Sequence, residues 1–312
     1  MENKLLFDWV SITSKIHSPQ NFIQMLGMAK ENIVWEKTNG GNGYRDRLYW
    51  EGISILYNGR EDMGVFLDMP GRGCRTFESF GNGDYEALFQ EVFDNLEQMH
   101  ITRLDVAFDD HSGLLPIQQI LKDAHNGEYI SKCRKGTERL GLGEAKGEDS
   151  VLFGTRSSLI LLRIYDKVQE RGFKDGRHWI RVELQLKDER ALAFIQRTEP
   201  IGERWTGVLA NYLRFVDEPN GFDTNRWRWP MKDYWARLLD GAAPIRLYEK
   251  PGADYNMLNL ENFIFVQAGG SIYNIPGVLR NRTIFRGTAQ QKKTAEPKAC
   301  SVTCSIQENV IQ

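Results

Sequence analysis

A tyrosine set between two cations on one extended segment is the part of this chain best suited to chemistry. In 161–167 (LLRIYDK) a β-strand would put Arg163, Tyr165 and Lys167 on one face and Leu162 and Ile164 on the other. The segment 181–187 (RVELQLK) alternates in the same way, with Arg181, Glu183, Gln185 and Lys187 opposite Val182, Leu184 and Leu186. So does 103–109 (RLDVAFD), with Arg103, Asp105, Ala107 and Asp109 opposite Leu104, Val106 and Phe108. A tyrosine hydroxyl titrates near ~10 and is a poor nucleophile at neutral pH. Neighbouring cations would favour the phenolate and also hold a phosphate. Carboxylates such as Asp105 and Glu183 are hard oxygen donors that suit Mg²⁺ or Mn²⁺, which polarises phosphoryl oxygens. Together these residue types point to attack on a phosphodiester. The phosphotyrosyl bond would keep the energy of the broken bond, so the strand could later be rejoined.

The elements that must carry these residues can be read from periodicity. Strands are expected over 7–13, 48–57, 63–69, 101–109, 150–153, 158–167 and 178–187, with Asn58-Gly59 as a hairpin cue. Helical spacing marks 19–28, 85–98, 116–123, 188–197, 205–215 and 231–239, and 71–75 (GRGCR) reads as a loop. The fold class is therefore α+β: two related halves with antiparallel sheets flanked by helices, about 1–110 and 111–220. Together they make a catalytic domain over 1–220. An aromatic and basic, helical C-terminal region is expected over 221–287, with a disordered, flexible tail over 288–312.

Composition narrows the function classes. With 312 residues, 41% hydrophobic, the chain can bury a substantial core. No apolar run approaches the ~18 residues of a membrane span, which predicts a cytoplasmic protein with no membrane partner. A net charge of −2 argues against indiscriminate coating of nucleic acid. Local basic patches at 132–146 and 280–298 still leave DNA binding open. Cys74, Cys133, Cys300 and Cys304 show no paired metal spacing, and none of the five histidines is paired with another.

The ordered set of motifs resembles the Rep trans family of rolling-circle replication initiators and the related nicking relaxases of integrative conjugative elements. The resemblance runs through 8–13 (DWVSIT), 71–78 (GRGCRTFE) and 102–109 (TRLDVAFD). It continues through 153–158 (FGTRSS) into 163–167 (RIYDK), then 179–183 (WIRVE) and the stretch from Tyr234-Trp235 to Leu247. It implies that Tyr165 is the nucleophile, aided by Arg163 and Lys167, and that Asp105 and Glu183 bind the metal. It further implies a homodimer that nicks a double-strand origin, stays on the 5′ end, leaves a 3′-OH primer and recruits a host helicase. Arg103, Arg181, Arg156 and Arg75 are expected to contact DNA.

Two other functions keep the same fold: a non-catalytic origin-binding or repressor protein, and a metal-dependent nuclease that uses water. Asp109 and Asp8 stay open as further ligands. Asp110 suits a turn, and Asp166, pointing away from Tyr165, suits a local salt bridge. Trp227, Trp229 and Trp235 could stack on unpaired bases or sit in a core.

Overall fold

The computed structural model describes residues 2–133, 136–139, 149–219, 223–241 and 247. The elements run β1 (Lys4–Ser14), α1 (Pro19–Met25), β2 (Glu36–Asn39), β3 (Asp46–Trp50), β4 (Ile53–Tyr57), β5 (Val65–Pro70), α2 (Gly71–Phe80) and α3 (Tyr85–Asp94). Then follow β6 (Met99–Asp110), α4 (Ile117–His125), β7 (Tyr129–Ser131), β8 (Gly136–Arg139), β9 (Ser150–Phe153), β10 (Ile160–Asp166), α5 (Lys167–Arg171) and β11 (Ile180–Lys187). The last are α6 (Asp188–Ile195), α7 (Ile201–Tyr212), β12 (Leu213–Phe215), a 3₁₀ turn at Arg226–Arg228 and α8 (Asp233–Leu239).

Ten strands form one antiparallel sheet in the order β2-β3-β4-β5-β1-β6-β11-β10-β9-β8, and β7 pairs separately with β12. The two related halves are thus joined in a single sheet at β1 and β6. Each half is a strand, a helix, a four-strand meander folding back onto that strand, and a helix. The sequence reading divides the halves near residue 110, whereas the strand order starts the second half at β6.

Alternation explains the layering. Val10, Ile12, Leu67, Met69, Leu104, Val106, Val182, Leu184, Leu162 and Ile164 face one side and are buried with Phe22, Phe77, Leu88, Phe194 and Trp205 from the helical layer. Each such side chain contributes about 1.5–3 kcal/mol when fully buried. Trp205 also satisfies its ring N–H, donating to the Val106 carbonyl at 3.2 Å. The cross-strand partners on the other side are polar: Tyr165 opposite Arg181, Arg163 opposite Glu183, Gln185 opposite Asp105, and Arg181 opposite Asp109.

Several boundaries differ from the sequence expectation. Residues 48–57 are two strands, because Glu51 (φ 41°) and Gly52 (φ 95°) make a tight reversal between β3 and β4. Residues 71–75 open a helix and are not a loop. Gly71 and Gly73 are needed there for close packing: a Cβ on Gly71 would lie 2.8 Å from Asp8 Oδ1, and one on Gly73 2.6 Å from the Gly52 carbonyl. The glycines that look like loop punctuation instead let α2 approach β1 and the β3–β4 turn. Helix α7 spans Ile201–Tyr212, giving way to β12 before Phe215. Among the described residues, no helix is long and apolar enough to cross a membrane.

Candidate active site

Strand β10 ends where Asp166 turns the chain into α5, its carboxylate accepting from the backbone N–H groups of Val168 (2.8 Å) and Gln169 (3.0 Å). This cap replaces the salt bridge expected of Asp166, and it fixes Tyr165 and Lys167 on either side of the junction. Lys167 is accordingly the first residue of a helix and not a strand residue. Its ammonium lies 3.2 Å from the Tyr165 hydroxyl and 2.9 Å from Glu170.

Tyr165 donates its hydroxyl proton to Glu183 Oε2 at 3.0 Å, and the Arg163 guanidinium lies 3.9 Å from the ring centroid. The tyrosine is only 1% exposed. Burial, reinforced by the Glu183 carboxylate, pushes its pKa up; Arg181 and Arg163 pull the other way and do not prevail. The sequence expectation that the flanking cations favour the phenolate is therefore corrected. The hydroxyl is neutral, and it already has a carboxylate acceptor aligned. Burial, followed by the charge of Arg181, lowers the Lys167 pKa.

The neighbouring strands build the rest of the face. Arg181 reaches Asp109 with Nε at 2.6 Å and Nη2 at 2.8 Å, and Asp8 with Nη1 at 2.7 Å. Asp8 reaches it because the β1–β6 register shifts between Phe7 and Trp9, a bulge that re-aims this side chain. Asp105, 2% exposed, is held by Arg103 through Nε at 2.9 Å and Nη2 at 2.5 Å. Its pKa is pushed up to about 7 by burial, against Arg103, with the Glu183 and Asp8 carboxylates adding to the rise. Arg103 also lies 3.7 Å from the Trp9 ring centroid, and Trp9 donates its ring N–H to Asp68 at 2.8 Å.

Tyr165, Arg163, Lys167, Glu183 and Arg181 thus come into one contact network, and Asp105 with Arg103 lies beside it on the next strand. Arg75 is apart, on α2, where it donates to the Phe7 carbonyl at 2.7 Å and pairs with Glu78. Arg156 is exposed in the β9–β10 turn, its carbonyl accepting from Lys187, at the end of β10 opposite Tyr165. Asp109 and Asp8, both left open by the sequence, act as the partners of Arg181. Glu170 was not foreseen, because its contact with Lys167 depends on the unanticipated helix α5. Asp110 accepts from Ser112 and Leu115 N–H groups and from His178 Nε2 at 2.9 Å, as a turn residue should.

Among the described residues, no three His, Cys, Asp or Glu side chains converge as a ready-made metal cage. Mg²⁺ ordinarily takes one or two protein carboxylates together with water and substrate phosphate oxygens, so a pair is an adequate donor set. Asp105 and Glu183 fit that requirement: both are hard oxygen donors on adjacent strands of one sheet face, close enough that the Glu183 charge adds, after burial, to the rise in the Asp105 pKa.

With the geometry established, comparison with known proteins is informative. Residues 99–275 match the family model described as replication initiation factor. The chain belongs to that family. Residues 4–95 match the N-terminal domain of rolling circle replication initiation proteins, so the seam between the matches falls just before β6, where the strand order changes halves. A Bacillus subtilis (strain 168) protein named as a candidate DNA relaxase, NicK, is 29% identical over 265 residues, covering 80% of this chain and 74% of that protein. The solved structure of a rolling circle replication initiator protein from Geobacillus stearothermophilus matches with a TM-score of 0.68 and 29% identity. It covers 80% of this chain and 100% of that one.

Proposed function

We propose that this protein is a site-specific, divalent-metal-dependent DNA nicking–closing enzyme that initiates rolling-circle replication or mobilisation, with Tyr165 as its nucleophile. The observation that carries the reading is the Tyr165 hydroxyl donating to Glu183 at 3.0 Å, with Lys167 at 3.2 Å and Arg163 against the ring. Membership of the replication initiation factor family supports it.

In this reading Glu183 takes the phenolic proton as Tyr165 attacks the scissile phosphorus. The bond to the 3′ oxygen breaks, that oxygen leaves with the bonding pair and takes a proton from solvent to become a free 3′-OH, and the 5′ phosphate remains on the tyrosine. Arg163 and Lys167 hold the non-bridging oxygens as charge develops on them. Asp105 and the second Glu183 oxygen would hold Mg²⁺ or Mn²⁺, which when bound polarises the same phosphate. Arg181, expected from the sequence to contact DNA, is instead buried and locked between Asp8 and Asp109, and keeps β11 and β6 in register beneath the reacting atoms. Arg103, Arg156 and Arg75 contact DNA beyond that point. The region 221–287, most of it outside the described residues, recognises the origin. There Trp227 is 57% exposed, whereas Trp229 and Trp235 are buried, which favours Trp227 alone for base stacking. The tail over 288–312 lies outside the described residues. The protein acts as a homodimer and hands the nicked strand to a host helicase.

The test is denaturing electrophoresis of a supercoiled origin plasmid nicked in Mg²⁺ or Mn²⁺. The expected result is protein attached to the 5′ end with wild type. With Tyr165→Phe the expectation is neither nick nor adduct, at a duplex affinity within a few-fold. The near-complete burial of Tyr165 favours a second reading, a nuclease that activates water. Nicks free of protein in the same gel would establish that reading and overturn the first.

A further inference from the structure

Strand β1 pairs with β5 only from Trp9 opposite Pro70 onward, so Lys4–Asp8 have no β5 neighbour on that edge. The chain leaves β5 directly into α2, and the missing stretch of strand opens a cleft of about 960 Å³. Its walls include Arg72 and Arg75 from α2, Arg171 from the end of α5, Trp179 and His111. Arg181 forms its inner wall and is also the direct cross-strand partner of Tyr165. One residue, Arg181, thus links the cleft to the strand position of the proposed nucleophile.

The charges lining it are not equivalent. Arg181 is neutralised by Asp8 and Asp109, and Arg75 is paired with Glu78. Arg72 and Arg171 are 68% and 58% exposed, and among the described residues they pair with the surface carboxylates Glu51 and Glu170. Such pairs are weak and easily exchanged for a phosphate. Beside them Trp179 lies 5.3 Å from His111 and 6.4 Å from Phe173, centroid to centroid.

We propose that the cleft receives one unpaired nucleotide flanking the scissile phosphate, its base against Trp179 and its phosphate on Arg72 and Arg171. The inference rests on the nicking reading above. An aromatic ring beside flexible arginines is the chemistry that holds single strands. The volume lies in the range of small-molecule pockets and is ample for a nucleotide. The carboxylates of Asp8, Asp109 and Glu78 on the same walls disfavour a polyphosphate, which leaves a chain nucleotide as the better match.

The experiment uses the full-length protein and single-stranded oligonucleotides spanning the nick, mapped first on a plasmid by primer extension. Each oligonucleotide carries 2-aminopurine at one position. A fluorescence change confined to one nucleotide next to the nick, and lost in Trp179→Leu, is expected. The double variant Arg72→Ala/Arg171→Ala should raise the oligonucleotide KM about ten-fold or more with kcat within two-fold. It should also flatten the plot of log affinity against log salt by roughly 0.7, the amount expected for one lost phosphate contact on a single strand. Both arginines are exposed, so this arm does not depend on how Trp179→Leu folds. Unchanged KM and salt slope, with nicking intact, overturn the cleft assignment alone. Nicking that survives Tyr165→Phe overturns the parent reading instead.

Discussion

The two halves of the sheet share a strand order, and the proposed chemistry falls on only one. Helix α2 follows β5 as α6 follows β11, which aligns Pro70 with Lys187 and Trp9 with Arg103. The pairing across the centre is reciprocal: Trp9 lies opposite Asp105 and Ser11 opposite Arg103, as a two-fold relation between the halves requires. On this alignment Asp105 corresponds to Ser11, Glu183 to Phe66, Arg163 to Leu56 and Tyr165 to Asn58, which lies just past the end of β4. The N-terminal half thus keeps the scaffold and lacks every proposed reacting group. It contributes instead at its border with the other half, through Asp8 on Arg181 and Trp9 under Arg103. On the proposed reading the fold alone does not make the site; four side chains on one half do.

The sharpest way to break this asymmetry is to exchange matched positions. Asp105→Asn should lower nicking by at least ~10²-fold, the usual cost of removing one group that stabilises transition-state charge. Ser11→Ala, its counterpart, should leave nicking within a few-fold and cost about 1 kcal/mol of stability through the lost hydrogen bond to Asp68. Equal losses of activity in a nicking assay would contradict the asymmetry.

Much of this was legible in the chain. Alternation placed Tyr165, Glu183, Asp105 and Arg181 on polar faces, since the opposite residues are apolar apart from Asp166 at the end of its strand. The motif order supplied their proposed roles. Two things were hidden. Gly71 and Gly73 signal a loop locally, and their packing against Asp8 and Gly52 is a tertiary fact. The protonation of Tyr165 was also misread, because adjacent cations are visible in sequence whereas burial and the Glu183 carboxylate across the ladder are not.

The border between the halves can be tested through Arg181. Arg181→Met leaves Asp8 and Asp109 facing each other without their cation, and removing one partner of a buried ion pair costs roughly 3–5 kcal/mol. Thermal unfolding should show a large drop in Tm, and Asp109→Asn in the same background should restore part of it. A Tm unchanged by Arg181→Met would mean that the border is held by other contacts.

A pH effect should be specific to the catalytic half. A carboxyl whose pKa rises from its ordinary ~3.9 to about 7 on folding binds a proton the unfolded chain has lost. Its contribution is fully present below pH ~3.9 and falls as pH rises towards about 7. Metal-free protein should therefore lose several degrees of Tm between pH 5 and 8, and Asp105→Asn should remove most of that slope. Added Mg²⁺ should raise Tm more at pH 8 than at pH 5.5. The smallest effect is expected at Trp227, where Trp227→Ala should change stability by less than about 0.5 kcal/mol while weakening origin binding in a gel-shift assay.

Tandem mass spectrometry of the covalent complex, after nuclease and trypsin digestion, addresses the nucleophile directly. The predicted result is the short peptide over 164–167 carrying a nucleotide on Tyr165. An adduct on another tyrosine, such as Tyr129 or Tyr212, or nicked DNA with no adduct at all, would contradict it.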